Sequence, residues 1–264
     1  MGRRTVTDIA RMKREGAPIA ALTAYDALFA AILDDAGVDI VLVGDSLGNV
    51  FQGHETTVPV TLEHMIYHGE IVARSVQRAL VAVDMPFMTF QVSVEDALRN
   101  AGAVMQRTGC QAVKLEGGVR TAQAIARLVE SGVPVMGHIG LTPQSVHAFG
   151  GYDVRGRDDR DALLADARAI EAAGAFCIVL EKIPRDLAKQ ITAELSIPTI
   201  GIGAGPDCDG QILVTADMLG LFTGFKPAFV RRYADIADRV REGVAAYIRD
   251  VRDRSYPSAA ESYE

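Results

Sequence analysis

The stretch GVDIVLVGD (37–45) opens on a glycine, runs through apolar residues rich in Val, and ends on a carboxylate. A glycine just past a helix closes its last turn in the left-handed conformation. A short run of Val and Ile then reads as a strand buried on both faces. The same order recurs in GCQAVKLE (109–116), GVPVMGH (132–138) and GAFCIVLE (174–181). The four runs deliver Asp45, Glu116, His138 and Glu181 to the exit ends of their strands. Parallel strands gather their chemistry at that end, so the repetition bears on architecture and site together.

Outward from these runs, strands are expected at 19–23, up to 44, and at 80–84, 112–116, 133–138, 175–181, 198–203 and 212–219. Helical patterning fills 25–36, 62–78, 93–109, 121–131, 159–173, 185–195 and 233–252, after a short helix starting near Thr7. Eight strands alternating with helices in 264 residues predict a (β/α)8 TIM barrel. An open doubly wound sheet, the structural rival, would not spread useful side chains over so many strand ends. The expected organisation is one barrel domain over 1–254 and a flexible tail at 255–264. Ile236, Val240, Val244, Ile248 and Val251 recur at helical spacing near the end and are expected to be buried. The connections 46–60 and 140–157 exceed ordinary βα loops; they are expected as irregular lids or substrate loops.

Hydrophobic residues make up 49% and charged residues 23%, an ordinary globular balance. The net charge of −7 leaves no basic footprint for a nucleic acid. No run approaches the apolar length that spans a bilayer. Residues 1–16 are basic without a signal peptide's apolar core. Cys110, Cys177 and Cys208 form no C-x-x-C pair, and Cys110 and Cys177 sit in strand contexts as small hydrophobes. Neither disulfides nor structural zinc are expected, and a cytoplasmic setting follows by default.

Asp45, Asp84 and Glu116 end consecutive strands. Carboxylates ~5 Å apart repel by about 3 kcal/mol per pair at an effective dielectric near 20, so something positive must sit among them. A hard divalent cation fits, with Mg2+ the default. The alternatives are a cap for Asp45, a turn before Pro86 for Asp84, and a surface lysine for Glu116. Lys114 shares a strand face with Glu116 and could bind a substrate carboxylate or form a Schiff base. Glu181 follows FCIVL, an environment suited to a general base, or it pairs with Lys182 or Arg185.

Other signals are weaker. Gly44-Asp45-Ser46-Leu47-Gly48 matches both the G-x-S-x-G elbow and the GDSL pattern of a hydrolase family. An elbow needs a later histidine near the C-terminus, whereas the last histidine is His147, and no histidine has an aspartate three residues before it. His64 and His68 have the spacing of a metal pair but no H-E-x-x-H; they are expected on a helix surface. GIGAG (201–205) is either an anion cradle or a tight turn.

At LTAYDA (22–27), GDSLG-x-V-x-x-GH (44–54), VDMPF (83–87), AVKLEGG (112–118), GHIGLTPQS (137–145), GGY (150–152), AGAF–VLE (173–181) and IPTIGIGAG–CDGQILV (197–214), the chain closely resembles the ketopantoate hydroxymethyltransferase family. The resemblance covers nearly the whole chain in order. It implies a (β/α)8 barrel that uses one Mg2+ per subunit and 5,10-methylenetetrahydrofolate as co-substrate. It implies a cytoplasmic homodecamer of pantothenate biosynthesis, acting on a small keto acid through a Mg-stabilised enolate. Carried over by motif, Asp45 and Asp84 bind metal and substrate, Glu116 serves the metal, Ser46 and Lys114 hold the keto acid, and Glu181 accepts the proton. Three alternatives stand beside it: another metal-dependent enolate-forming carbon–carbon lyase, a GDSL-type serine hydrolase, and a non-catalytic metabolite-binding barrel. The first lacks its KKCGH-like stretch here, and the last would not need Glu181.

Overall fold

Gly37, Gly109, Gly132 and Gly174 all lie in the left-handed region, with φ between 71° and 92°. Each stands a few residues ahead of a strand, as the four runs imply. The computed structural model describes residues 2–263. Its strands are β1 (Ile19–Thr23), β2 (Ile40–Val43), β3 (Leu80–Asp84), β4 (Ala112–Glu116), β5 (Val135–Gly140), β6 (Cys177–Glu181), β7 (Thr199–Ile202) and β8 (Gly210–Leu213). The helices are α1 (Val6–Glu15), α2 (Ala27–Ala36), α3 (Leu47–Val50), α4 (Leu62–Ser75), α5 (Val94–Thr108), α6 (Ala122–Glu130), α7 (Val146–Phe149), α8 (Arg160–Ala172), α9 (Arg185–Glu194), α10 (Thr215–Met218) and α11 (Ile236–Arg252).

The strands pair in chain order, all parallel, and β8 closes the barrel against β1 with Ile19 opposite Gly210. Period two then sorts every strand into two faces. Ile40 and Leu42, Leu80 and Ala82, Cys177 and Val179 belong to the inner core; Val41, Val43, Val81, Val83, Ile178 and Leu180 belong to the core beneath the helices. Ile9 and Met12 of α1 join the inner core, so the first helix closes the floor of the barrel. Lys13 fixes it there, donating to the carbonyls of Thr192 and Ile197 and to Asp209 at 2.9–3.1 Å. Residues 203–209 link β7 to β8 without a helix.

Two units are distinguished, the first ending at Val214 and the second starting at Thr215. Two expectations change toward this end of the chain. The apolar run 212–219 is strand only to Leu213; Thr215–Met218 turn into α10, with Asp217 favouring the first turn of a helix. Among the described residues none of α11 is buried, so Val240, Val244, Ile248 and Val251 form an exposed stripe instead of a core face. The 255–264 segment holds a 3-10 turn, Ala259–Glu261.

The two long connections are not irregular throughout. The first contains α3. The second contains a 3-10 turn at Pro143–Ser145 and then α7, with Pro143 at the start, where its missing N–H costs nothing. β5 begins at Val135 and not 133, after Pro134, which has no N–H to give the ladder.

Asp34, at the end of α2, is buried and accepts the amides of Gln77, Arg78 and Ala79 at 2.7–3.0 Å, which fixes the entry to β3. Burial alone would raise its pKa, but these amides hold it below the ordinary aspartate value. Asp34→Ala should lower unfolding stability by about 1–3 kcal/mol in urea titrations. Because the folded pKa is depressed, the contribution is complete above the unfolded value and disappears as pH falls through the folded one. The difference from the unsubstituted chain should therefore shrink at strongly acidic pH.

Candidate active site

The inward positions of the strands change from apolar to polar at their carboxyl ends. Above Ala82 comes Asp84, above Ala112 come Lys114 and Glu116, above Met136 comes His138, and above Val179 comes Glu181. Strand register sets them side by side: Asp84 opposite Lys114, Glu116 opposite His138, and Gly140 opposite Glu181. Asp45 follows Gly44 just past β2. A Cβ on Gly44 would lie 2.8 Å from Ser46 Oγ, so glycine leaves room for the Ser46 hydroxyl there.

Asp45, Asp84, Lys114, Glu116 and His138 are all buried. Lys114 Nζ donates to Asp84 Oδ1 at 2.6 Å and lies 3.9 Å from Glu116 Oε1. The other Asp84 oxygen accepts the Asp45 amide at 2.9 Å. The positive charge that the carboxylates require is thus the lysine. Burial by itself would lower the Lys114 pKa, but the charges of Asp84, Glu116 and Asp45 raise it, so it stays an ammonium. Asp45 shows the converse: burial, then the charges of Asp84 and Glu116, push its carboxyl well above the usual range. Glu116 is held below its ordinary value despite burial, by His138 and Lys114.

His138 stands between two glutamates. Its Nδ1 is 3.3 Å from Glu116 Oε1 and its Nε2 is 3.3 Å from Glu181 Oε2. Burial and Lys114 oppose its charge, yet the two carboxylates raise its pKa to about 9. Neither ring nitrogen is aligned as a hydrogen bond, and Glu116 Oε1, in these ion pairs, accepts no hydrogen bond. Lys182 and Arg185, the expected partners of Glu181, bind the carbonyl of Tyr152 and Asp207 instead.

Ser46 Oγ pairs with Tyr25 Oη at 2.8 Å, and Tyr25 donates to Thr23. No histidine is recorded as the partner of that serine among the described residues, and His138 is engaged with glutamates, so nothing here supports a nucleophile elbow. His68 is buried, with Nδ1 2.7 Å from the Tyr25 carbonyl, and is not on the surface as expected; His64 completes the capping box of α4. His68 is covered by the Tyr25 backbone and by the Phe51 ring, whose centroid is 4.9 Å from its own. GIGAG begins as the end of β7 and bends after Ile202, where the Gly205 carbonyl accepts from Gln211 and Gly205 lies against Arg185.

Sequence reasoning missed Gln144, which is buried. Its Nε2 donates to Asp45 Oδ2 and to the Met85 carbonyl, both at 2.9 Å, and its backbone amide donates to Glu116 Oε2 at 3.0 Å. An uncharged residue in a Gly- and Pro-rich loop gives no signal of this; only its position after β5, in GLTPQS, hints at the site. Among the described residues no three His, Cys, Asp or Glu side chains already converge as a metal group. A cavity of about 650 Å3 is lined by Asp153, Val154, Arg155, Arg157, Asp158 and Asp159, beside an Arg155 guanidinium 4.4 Å from the Phe149 ring centroid.

Residues 3–259 match the family model described as ketopantoate hydroxymethyltransferase. The chain belongs to that family. Two relatives named 3-methyl-2-oxobutanoate hydroxymethyltransferase are among its matches. One, from Chlorobaculum tepidum, is 56% identical and covers 96% of this chain and 93% of its own. The other, from Salinibacter ruber, is 55% identical over the whole of both. The chain is accordingly an enzyme of the hydroxymethyltransferase family.

Solved structures confirm the barrel at the level of fold. Phosphonopyruvate hydrolase in complex with oxalate and Mg++ superposes with a TM-score of 0.63 at 13% identity, covering 98% of this chain and 93% of its own. A 2,3-dimethylmalate lyase of the PEP mutase/isocitrate lyase superfamily gives 0.60 at 17%, covering 98% and 91%.

Removing the ammonium should expose how the buried charges are balanced. Lys114→Met should destabilise the folded chain by about 3–5 kcal/mol at neutral pH, because the carboxylates lose their counter-charge. Protonation relieves that repulsion, so the deficit in Tm should narrow as pH is lowered. A deficit independent of pH would show that packing, not charge, is what Lys114 supplies.

Proposed function

We propose that the chain transfers a hydroxymethyl group from 5,10-methylenetetrahydrofolate to 3-methyl-2-oxobutanoate, giving 2-dehydropantoate (ketopantoate) for pantothenate biosynthesis. The observation that carries this reading is the row Lys114, Glu116, His138 and Glu181, set over a dry core beside Asp45 and Asp84. The names of the relatives agree with it.

The donor set fits one hard divalent cation, with Mg2+ the natural choice because it accepts few carboxylates. Asp45 and Asp84 would hold it, with Glu116 serving directly or through water. The fit rests on the carboxyl of Asp45, lifted by burial and by the charges of Asp84 and Glu116, and on Glu116 Oε1, which accepts no hydrogen bond. Such an ion supplies Lewis-acid polarisation of the keto acid's carbonyl.

The remaining work belongs to the protein. Ser46, steadied by Tyr25, and Lys114 hold the keto acid's carboxylate. Glu181 removes the C3 proton, and the electron pair of that C–H bond becomes the enolate. C3 then bonds to the one-carbon unit of the folate and water supplies its hydroxyl, as both carbon–nitrogen bonds of the bridging methylene break; the two folate nitrogens keep protons, one from water and one returned by Glu181. His138, with Nε2 3.3 Å from Glu181 Oε2, orients the base. The folate is read as approaching over residues 140–157, supported by the Arg155–Phe149 stack and the neighbouring cavity.

The same reading makes the enzyme a cytoplasmic homodecamer, for which the exposed stripe of α11 is the support in this chain. No helix among the described residues is long and apolar enough to cross a membrane. A carbon–carbon lyase on the same barrel has only fold likeness behind it.

The direct test is deuterium exchange at C3 of 3-methyl-2-oxobutanoate, followed by NMR with and without Mg2+ and then with the folate. Exchange should require the ion. Glu181→Gln should slow it by about 10²–10⁴-fold while keto-acid affinity stays within about threefold. Undiminished exchange in that variant would remove Glu181 from the chemistry.

A further inference from the structure

Gln144 contacts two of the carboxylates from outside the strands. Its side chain holds Asp45 Oδ2 and its main chain holds Glu116 Oε2. A primary amide presents two N–H donors on one side and a carbonyl acceptor on the other, so its effect on a carboxylate depends on which way it faces. Here the facing is determined by a chain of directed hydrogen bonds. The Phe90 amide donates to Gln91 Oε1 at 3.3 Å, which turns the Gln91 NH2 toward the site. Gln91 Nε2 donates to Gln144 Oε1 at 3.0 Å. With its oxygen so occupied, Gln144 can offer Asp45 and the Met85 carbonyl only N–H groups.

We infer that Gln144 is a positioning residue for the cation- and keto-acid-binding carboxylates, and that the exposed Gln91 sets its polarity. This deepens the proposed function and rests on its assignment of Asp45 and Glu116. A neutral donor suits the place. It stops rotation of the Asp45 carboxylate without cancelling its charge, whereas a second ammonium beside Lys114 would weaken the attraction for a cation. It also ties the loop after β5 to the ends of β2, β3 and β4, so that loop and carboxylates keep one arrangement. Outer partners of this kind commonly change metal affinity or activity by about 10–100-fold when removed.

The exposed position of Gln91 gives a test that leaves the buried site intact. Gln91→Glu sets an acceptor against Gln144 Oε1, so the Gln144 amide turns over and faces Asp45 with its oxygen. Gln91→Lys keeps a donor there, and Gln91→Met has neither. Mn2+ binding, followed by electron paramagnetic resonance, and C3 exchange of 3-methyl-2-oxobutanoate are measured for each, together with Gln144→Met and Tm. Orientation predicts Mn2+ affinity and exchange about 10-fold lower in Gln91→Glu, a smaller loss in Gln91→Met, and values within about twofold of the unsubstituted chain in Gln91→Lys. Gln144→Met should lose about 10–100-fold in both, and adding Gln91→Met to it should cost nothing more, since both changes break one path.

Through-space charge predicts the reverse order, with the glutamate variant binding Mn2+ more tightly and the lysine variant more weakly; that order would overturn the inference. So would Gln144→Met with a lower Tm and unchanged Mn2+ affinity. If Gln144→Met does not fold, the Gln91 series decides alone. Exchange and Mn2+ binding in the unsubstituted chain with a flat series would remove this inference and leave the proposed function standing. Neither in the unsubstituted chain would remove both.

Discussion

A single ammonium among buried carboxylates is the constraint from which the site is built. Lys114 is in contact with Asp84 and within 4 Å of Glu116, and its charge also acts on Asp45. Lys114 and the His138 imidazolium face Asp45, Asp84, Glu116 and Glu181, two cations against four carboxyl groups. Burial first, then Asp84 and Glu116, push the carboxyl of Asp45 toward the neutral form. Under the proposed function, this balance leaves a place for a further cation beside an anionic keto acid. No lysine at all would make the folded state too costly.

The barrel makes the imbalance bearable by geometry. Alternation along each strand gives one apolar set to the helices and another to the barrel interior, and the interior set ends one or two residues below the charged layer. The polar groups therefore rest on a buried apolar base, where electrostatic interactions are less screened than in water. The ordering is specific to the residue: a shift of one position in β4 would send Lys114 and Glu116 under the helices.

What could be read from the sequence follows from where information is stored. Glycine-led apolar runs encode strands and their exits, which is why the (β/α)8 barrel and the group Asp45, Asp84, Lys114, Glu116, His138 and Glu181 were legible as a set. Charge balance was legible in outline, since the need for something positive could be stated before Lys114 was seen to meet it. Orientation was not legible. Gln144 carries no charge and lies in a loop, and its importance comes from which of its ends faces Asp45. The surface expected for His68 failed because polarity alone does not report a hydrogen bond to a distant carbonyl, that of Tyr25. The stripe of α11 was read as core because periodicity identifies an apolar face without saying what covers it. The helical turn of α10 was hidden for a related reason: a short apolar run suits either element until its polar residues are weighed.

The fastening of the first helix bears on how the chain can fold as it leaves the ribosome. Lys13 reaches Thr192, Ile197 and Asp209, so α1 is secured by groups synthesised 179 to 196 residues after it. Until then Ile9 and Met12 have no completed cylinder to stopper, and the nascent chain carries its interior open at one end. Contacts so distant in sequence slow the final closure. The emerging polypeptide therefore keeps an apolar opening until the ribosome has passed residue 209.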